Sequence, residues 1–96
     1  MPTARELTDV VERYFGTVDA NNPPATLALM TPDCVVAYAS EGQRFVGRDT
    51  GVKDYFAHRS SIVEKSWHGN FFHVADPEHA RVATRFDVAA AIGDPG

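Results

Sequence analysis

The sequence predicts an α+β domain in which an antiparallel sheet wraps over helices. Three observations carry that prediction. Apolar residues recur at helical spacing near the start of the chain, and from Trp67 onward the period changes to two. The helices also precede the main strands instead of alternating with them, which argues against a parallel βαβ sheet.

Size and composition set the outer bounds. Ninety-six residues, 44% hydrophobic and 23% charged, suit a single domain over 1–96 with one core. A core of that size is marginal enough for pairing with a second copy to help, so a homodimer is expected. The net charge of −4 and nine basic residues scattered from Arg5 to Arg85 argue against nucleic acid, whose phosphates need clustered Lys and Arg. No apolar run reaches membrane-spanning length, and the first nine residues lack the apolar stretch of a secretion signal. The single cysteine, Cys34, has no internal partner, which fits a reducing, cytoplasmic setting.

Each element has a local cause. Thr3 and Glu6 form the ends of a capping box that starts the first helix. Leu7, Val10, Val11, Tyr14, Phe15 and Val18 then mark one face of it. Asn21-Asn22-Pro23-Pro24 stops that helix, and Pro24 opens a short second one over Ala25–Met30, closed by Thr31-Pro32. Cys34–Tyr38 reads as a strand, Ser40–Gln43 as a turn, and Arg44–Val46 as the returning strand, broken by Gly47. Asp49 or Thr50 is placed to cap a third helix running to about Ser61, with Val52, Tyr55, Phe56, Arg59 and Val63 on one face. Trp67–Ala75 and Ala80–Ala89 flank the turn Asp76–His79 as a hairpin. Val82, Thr84, Phe86 and Val88 face the core there, and Arg81, Ala83, Arg85 and Asp87 face water or a partner. The simplest register sets Val82 opposite His73 and turns Trp67, Gly69, Phe71 and His73 inward. A slip of one residue would turn His68, Phe72 and Val74 inward instead.

Val10–Tyr14, Ala25–Val36 and Phe45–Asp49, in that order and spacing, resemble the nuclear transport factor 2-like superfamily, in its SnoaL-like and ketosteroid-isomerase-like branch. The resemblance covers essentially the whole chain. It implies a curved antiparallel sheet that forms a cone around three N-terminal helices, a pocket inside, and dimerisation through the sheet's outer face. Relatives usually continue through two further strands. This chain reaches Gly93-Asp94-Pro95-Gly96, which reads as a turn into a strand, so C-terminal strands are expected to be missing.

The residues that could carry chemistry follow from that frame. Tyr14 falls mid-face on the first helix, where a phenol in an apolar cavity can donate to a developing oxyanion. The resemblance implies that role, and plain core filling is the alternative. The isomerase base, an aspartate on the first strand, aligns with Tyr38. A phenol of pKa about 10 replaces a carboxylate base poorly, so true ketosteroid isomerisation is not expected. His73 is the substitute base, since imidazole titrates near neutrality, or else a structural histidine. The catalytic candidates are therefore Tyr14, Tyr38 and His73. Val18, Phe56, Arg59, Phe71, Thr84 and Phe86 are the candidate pocket lining, with Arg59 either gripping a carboxylate or enolate or laying its stem on apolar surface. His58 and His79 are expected in solvent. No ligand spacing for a metal and no cofactor fingerprint is present, so none is expected.

Two functions compete. One is a cofactor-free isomerase, cyclase or hydratase acting on an apolar carbonyl compound. The other is a non-catalytic module of the same fold that binds a ligand or a protein, or that only dimerises.

Overall fold

The computed structural model describes residues 1–92, and the Gly93–Gly96 turn expected from the sequence lies outside them. Helix α1 spans Ala4–Asp19 and begins with the predicted exchange. The Glu6 amide donates to Thr3 Oγ1 (3.1 Å) and the Thr3 amide donates to Glu6 Oε1 (3.2 Å). Helix α2, Pro23–Leu27, starts earlier than expected because Asn22 caps it, accepting from the Ala25 amide. Both prolines then occupy first-turn positions, where no amide hydrogen is needed. Single turns through Met30 complete the connection, with the Met30 amide donating to the Leu27 carbonyl.

Strands β1 (Val35–Tyr38) and β2 (Gln43–Val46) pair antiparallel around a turn in which Gly42 holds φ = 67°. Gly47, at φ = 87°, ends β2 and donates its amide to the Cys34 carbonyl. Neither Asp49 nor Thr50 caps the next helix. Asp49 pairs with Arg48 at 3.0 Å, and the Thr50 hydroxyl donates to the Val46 carbonyl. The chain enters α3 (Lys53–Ile62) through a π-helical turn, Gly47–Val52, whose continuous backbone bonding makes a side-chain cap unnecessary.

Strand β3 (Val63–Asp76) and strand β4 (Arg81–Ile92) form the long hairpin, which runs beyond the expected limits at its open end, while β4 starts one residue later than expected at the turn. Fourteen residues of strand span about 46 Å, which accounts for the 48 Å long axis of the molecule. The sheet is divided into two ladders, β1–β2 and β3–β4.

The register of the long hairpin corrects one expectation. His73 pairs with Thr84, and so has the inward parity of Val82, Thr84 and Phe86. A β-bulge then intervenes between the pairs Gly69–Asp87 and Phe72–Arg85, with Asn70 at φ = 52° and its amide group donating to Asp87. The extra residue reverses parity before it. Phe71 and His73 face inward as expected, but His68 replaces Trp67, which turns out and is 50% exposed. Val88 keeps inward parity opposite His68 yet is 58% exposed, so it does not join the core.

Val18, Val52 and Phe56 are the buried apolar centre, joining α1 to α3. Tyr14, Leu27, Met30, Cys34, Val36, Phe45 and Tyr55 pack around it. Buried Thr26 is satisfied by sharing a hydrogen bond with the Thr17 hydroxyl (2.8 Å) and donating to the Asn22 carbonyl. No helix among the described residues is long and apolar enough to cross a membrane.

Candidate functional site

All three tyrosines of the chain come from different elements and are linked through the rings of Phe45 and Phe56. Tyr14 sits mid-face on α1, Tyr38 ends β1, and Tyr55 lies on the first turn of α3. The Tyr38 and Tyr55 hydroxyls share a hydrogen bond of 2.6 Å. Aromatic neighbours fix the rings: Tyr55 lies 4.4 Å from Phe45 and 5.0 Å from Phe56, and Tyr14 meets Phe56 edge-on at 6.3 Å. Burial, then the neighbouring Tyr55, push the Tyr14 phenol up to about 12, while Arg59 draws it partly back. Tyr38 is raised as well, by burial first and then by its bond with Tyr55. Both phenols therefore stay protonated at neutral pH and remain hydrogen-bond donors.

Tyr14 also borders an apolar cavity of about 440 Å³ between α1, Leu29-Met30 and β4. Phe15, Thr84 and Phe86 share its wall. Of the expected lining, Thr84 and Phe86 border this cavity. Val18 and Phe56 are core residues and, with Arg59, edge only a crevice of about 10 Å³ against α2. Phe71 stacks on Phe15 at 5.6 Å and on the His73 ring at 5.6 Å.

The two inward histidines differ in what holds them. Both nitrogens of His73 are engaged, Nδ1 with the Thr84 hydroxyl (2.9 Å) and Nε2 with Glu12 (3.0 Å). As a base it would first have to release one of them. His68 is held from one side only. Its Nδ1 lies 2.6 Å from Asp19 Oδ1, and its backbone amide donates to Asp19 Oδ2 at 2.8 Å. The Ser66 hydroxyl donates to the same carboxylate at 2.8 Å. The ring stacks on Phe15 (4.6 Å) and tilts against Phe86 (5.4 Å). The side chain is 9% exposed, yet Nε2 makes no hydrogen bond among the described residues and is not sealed from open space. An imidazole whose Nδ1 is bound by a carboxylate presents Nε2 as a proton acceptor.

His58 and His79 are exposed, and His79 joins Asp76 and Glu78 at the hairpin tip with ligand atoms within 4.8 Å of one another. Asp76 uses its carboxylate there to accept from the His79 amide and ring, closing the turn.

A SnoaL-like domain model matches residues 2–94. The chain belongs to the SnoaL-like domain family. Among solved structures, the BvnE pinacolase from Penicillium brevicompactum superposes with a TM-score of 0.77 at 18% identity, over 94% of this chain and 67% of that one. A candidate polyketide cyclase from Pseudomonas putida KT2440 gives 0.75 at 22% identity, over 100% and 69%. A candidate aromatic ring hydroxylase from Novosphingobium aromaticivorans gives 0.66 at 20%, over 90% and 62%. The chain thus spans about two thirds of the length of these proteins, and at such identities the likeness establishes the shared fold. No curated protein matches the chain.

Two features of this SnoaL-like domain escaped the sequence reading. Helical spacing puts Tyr55 on the inward face of its helix, but nothing local shows that its hydroxyl reaches Tyr38, 17 residues away. The Asp19–His68 pair spans 49 residues, and its formation depends on the bulge at Asn70, which reverses the parity of β3. The available signal was Asn70 beside Gly69 within a strand, a pair suited to a bulge.

Proposed function

We propose that this SnoaL-like domain binds an apolar carbonyl compound in the cavity beside Tyr14 and moves a proton on it without a cofactor. The observation that carries this reading is the shared wall. Phe15 and Phe86 border the cavity and also flank the His68 ring, while Tyr14 borders the same cavity. In the proposed step, His68 Nε2 takes a proton from the carbon next to the carbonyl. The C–H electron pair moves into the new C=C bond, and the carbonyl π pair moves onto oxygen, giving an enolate. Tyr14 donates to that oxygen. In an isomerisation the proton returns from His68 to a different carbon of a conjugated enolate. In a cyclisation the enolate carbon attacks a second carbonyl, whose π pair moves onto its oxygen, and that oxygen takes the proton from His68. Asp19 holds the imidazole and balances its charge. His73, tied to Glu12 and Thr84, keeps α1 on the hairpin.

Exchange of the α-hydrogens of 2-tetralone in deuterated buffer, followed by NMR, tests the reading. The domain should accelerate exchange, and His68→Gln should reduce the acceleration about 10²-fold or more, the usual contribution of a placed base. Bound tetralone with no acceleration would overturn catalysis and favour the second reading, a binding module. That alternative has its own support in Tyr38, a phenol at the position that the resemblance aligns with the isomerase carboxylate base.

The outer hairpin face supports a homodimer. Trp67, Phe72 and Val74 are 50%, 61% and 60% exposed on it, beside Ala83 and Ala89.

A further inference from the structure

We infer that Glu12 and His73 fix the direction of the Thr84 hydroxyl, so that Thr84 offers the cavity a hydrogen-bond acceptor and selects carbonyl compounds that also carry a hydroxyl group. The inference rests on the reading that the cavity takes a carbonyl compound. His73 lies between the other two side chains, with Nε2 3.0 Å from Glu12 Oε2 and Nδ1 2.9 Å from Thr84 Oγ1. A carboxylate can only accept, so Nε2 carries the proton of the neutral imidazole and Nδ1 keeps its lone pair. The Thr84 hydroxyl then donates to Nδ1, and its oxygen has only lone pairs left for a ligand. The His73 side chain is 14% exposed and its ring stacks on Phe71 at 5.6 Å, which shields the chain of bonds from water. Thr84 and Tyr14 are the polar members of a cavity wall that is otherwise aliphatic or aromatic. Tyr14 stays protonated and donates, whereas Thr84 accepts. Together they match a ligand with a carbonyl oxygen at one point and a hydroxyl proton at another. Glu12 does not border the cavity and acts only through His73, so these two are positioning residues and Thr84 is the binding residue.

Protonation of His73 reverses the arrangement. Both ring nitrogens then donate, Thr84 Oγ1 accepts from Nδ1, and the threonine proton turns to the cavity. Facing the ring are Glu12 from α1, Thr84 from β4 and Phe71 along β3. Glu12 is the one charged side chain in ion-pair reach of it among the described residues. The probes are 5-, 6- and 7-hydroxy-2-tetralone, each compared with its methyl ether, which accepts but cannot donate. By calorimetry at about pH 8, at least one hydroxytetralone should bind about 3- to 10-fold more tightly than its ether, as expected for one hydrogen bond. Thr84→Val should abolish that preference, and Thr84→Ser should keep it. Glu12→Gln should reduce it to within about twofold, because an amide can donate to Nε2 and move the imidazole proton to Nδ1. The preference should also vanish in the unsubstituted domain at about pH 5, below the ordinary imidazole range. A preference unchanged by Thr84→Val would overturn the assignment, as would tetralones that bind with no such preference. Both results leave the cavity reading intact. A preference that survives Glu12→Gln or acid would overturn the control by Glu12 and His73. No binding of any tetralone would remove the cavity reading and this inference with it.

Discussion

Asp19 closes α1 and accepts three hydrogen bonds from β3, so one carboxylate ties the first helix to the sheet. Burial pushes this carboxyl up, but the bonds from His68 and Ser66 outweigh burial and hold it below the usual aspartate range. A carboxyl that is more acidic folded than unfolded stabilises fully above its unfolded value, about 3.9. That contribution drains away as pH falls through the lower folded value. The unsubstituted domain should therefore exceed Asp19→Asn in urea midpoint at about pH 6, and the gap should narrow at about pH 2.5. An equal gap at both values would mean that the pair contributes through packing alone. The same residue shows the limit of local reading. Asp19 precedes a helix stop, where an acidic residue has no evident partner, and its partners lie 47 and 49 residues away.

At the scale of elements, the bulge in β3 decides which histidine meets α1. Asn70 holds φ = 52°, a left-handed conformation that asparagine tolerates and a β-branched residue resists. It also donates to Asp87 at 2.8 Å. Asn70→Gly keeps the backbone and loses only that exposed bond, whereas Asn70→Val opposes the conformation itself. Asn70→Val should destabilise the domain by about 1–2 kcal/mol more than Asn70→Gly in urea titrations. It should also shift the His68 ring resonances, because Phe15 and Phe86 no longer flank the imidazole in the same way. Equal losses in the two variants, with His68 unmoved, would show that the bulge does not set the register. Helix α3 offers a second case. The sequence offers Asp49 or Thr50 as caps for its entrance, but a π-helical turn of backbone bonds performs that task. Helix-forming residues mark where a helix lies more reliably than how it starts.

The whole molecule has a long hairpin with one face on the helices and the other uncovered. Trp67 is the only tryptophan in the chain and lies on that outer face, across from Ala89. Pairing of two copies through this face would bury its indole. Sedimentation should show a dimer at micromolar concentrations, and tryptophan emission should move to the blue as concentration rises. Phe72→Glu, which puts a charge into the centre of the apolar face, should give a monomer with red-shifted emission and an intact fold. A monomer at high micromolar concentration in the unsubstituted domain would exclude this assembly.

The sequence by itself determined the features whose causes lie within a few residues. The capping box at Thr3 and Glu6, the proline stop after Asn22, the helical face through Tyr14 and the alternation in β4 each follow from spacing along one element. Motif order was sufficient to place the chain in its family. Only the tertiary structure decided which side chains share the interior. An extra residue in β3 exchanges Trp67 for His68, the placing of α3 against β1 brings Tyr55 to Tyr38, and β3 brings His68 to Asp19. The physical reason is range. Helix and strand periods are set by neighbours in sequence, whereas a hydrogen bond between residues 17 or 49 apart depends on the paths of every element between them.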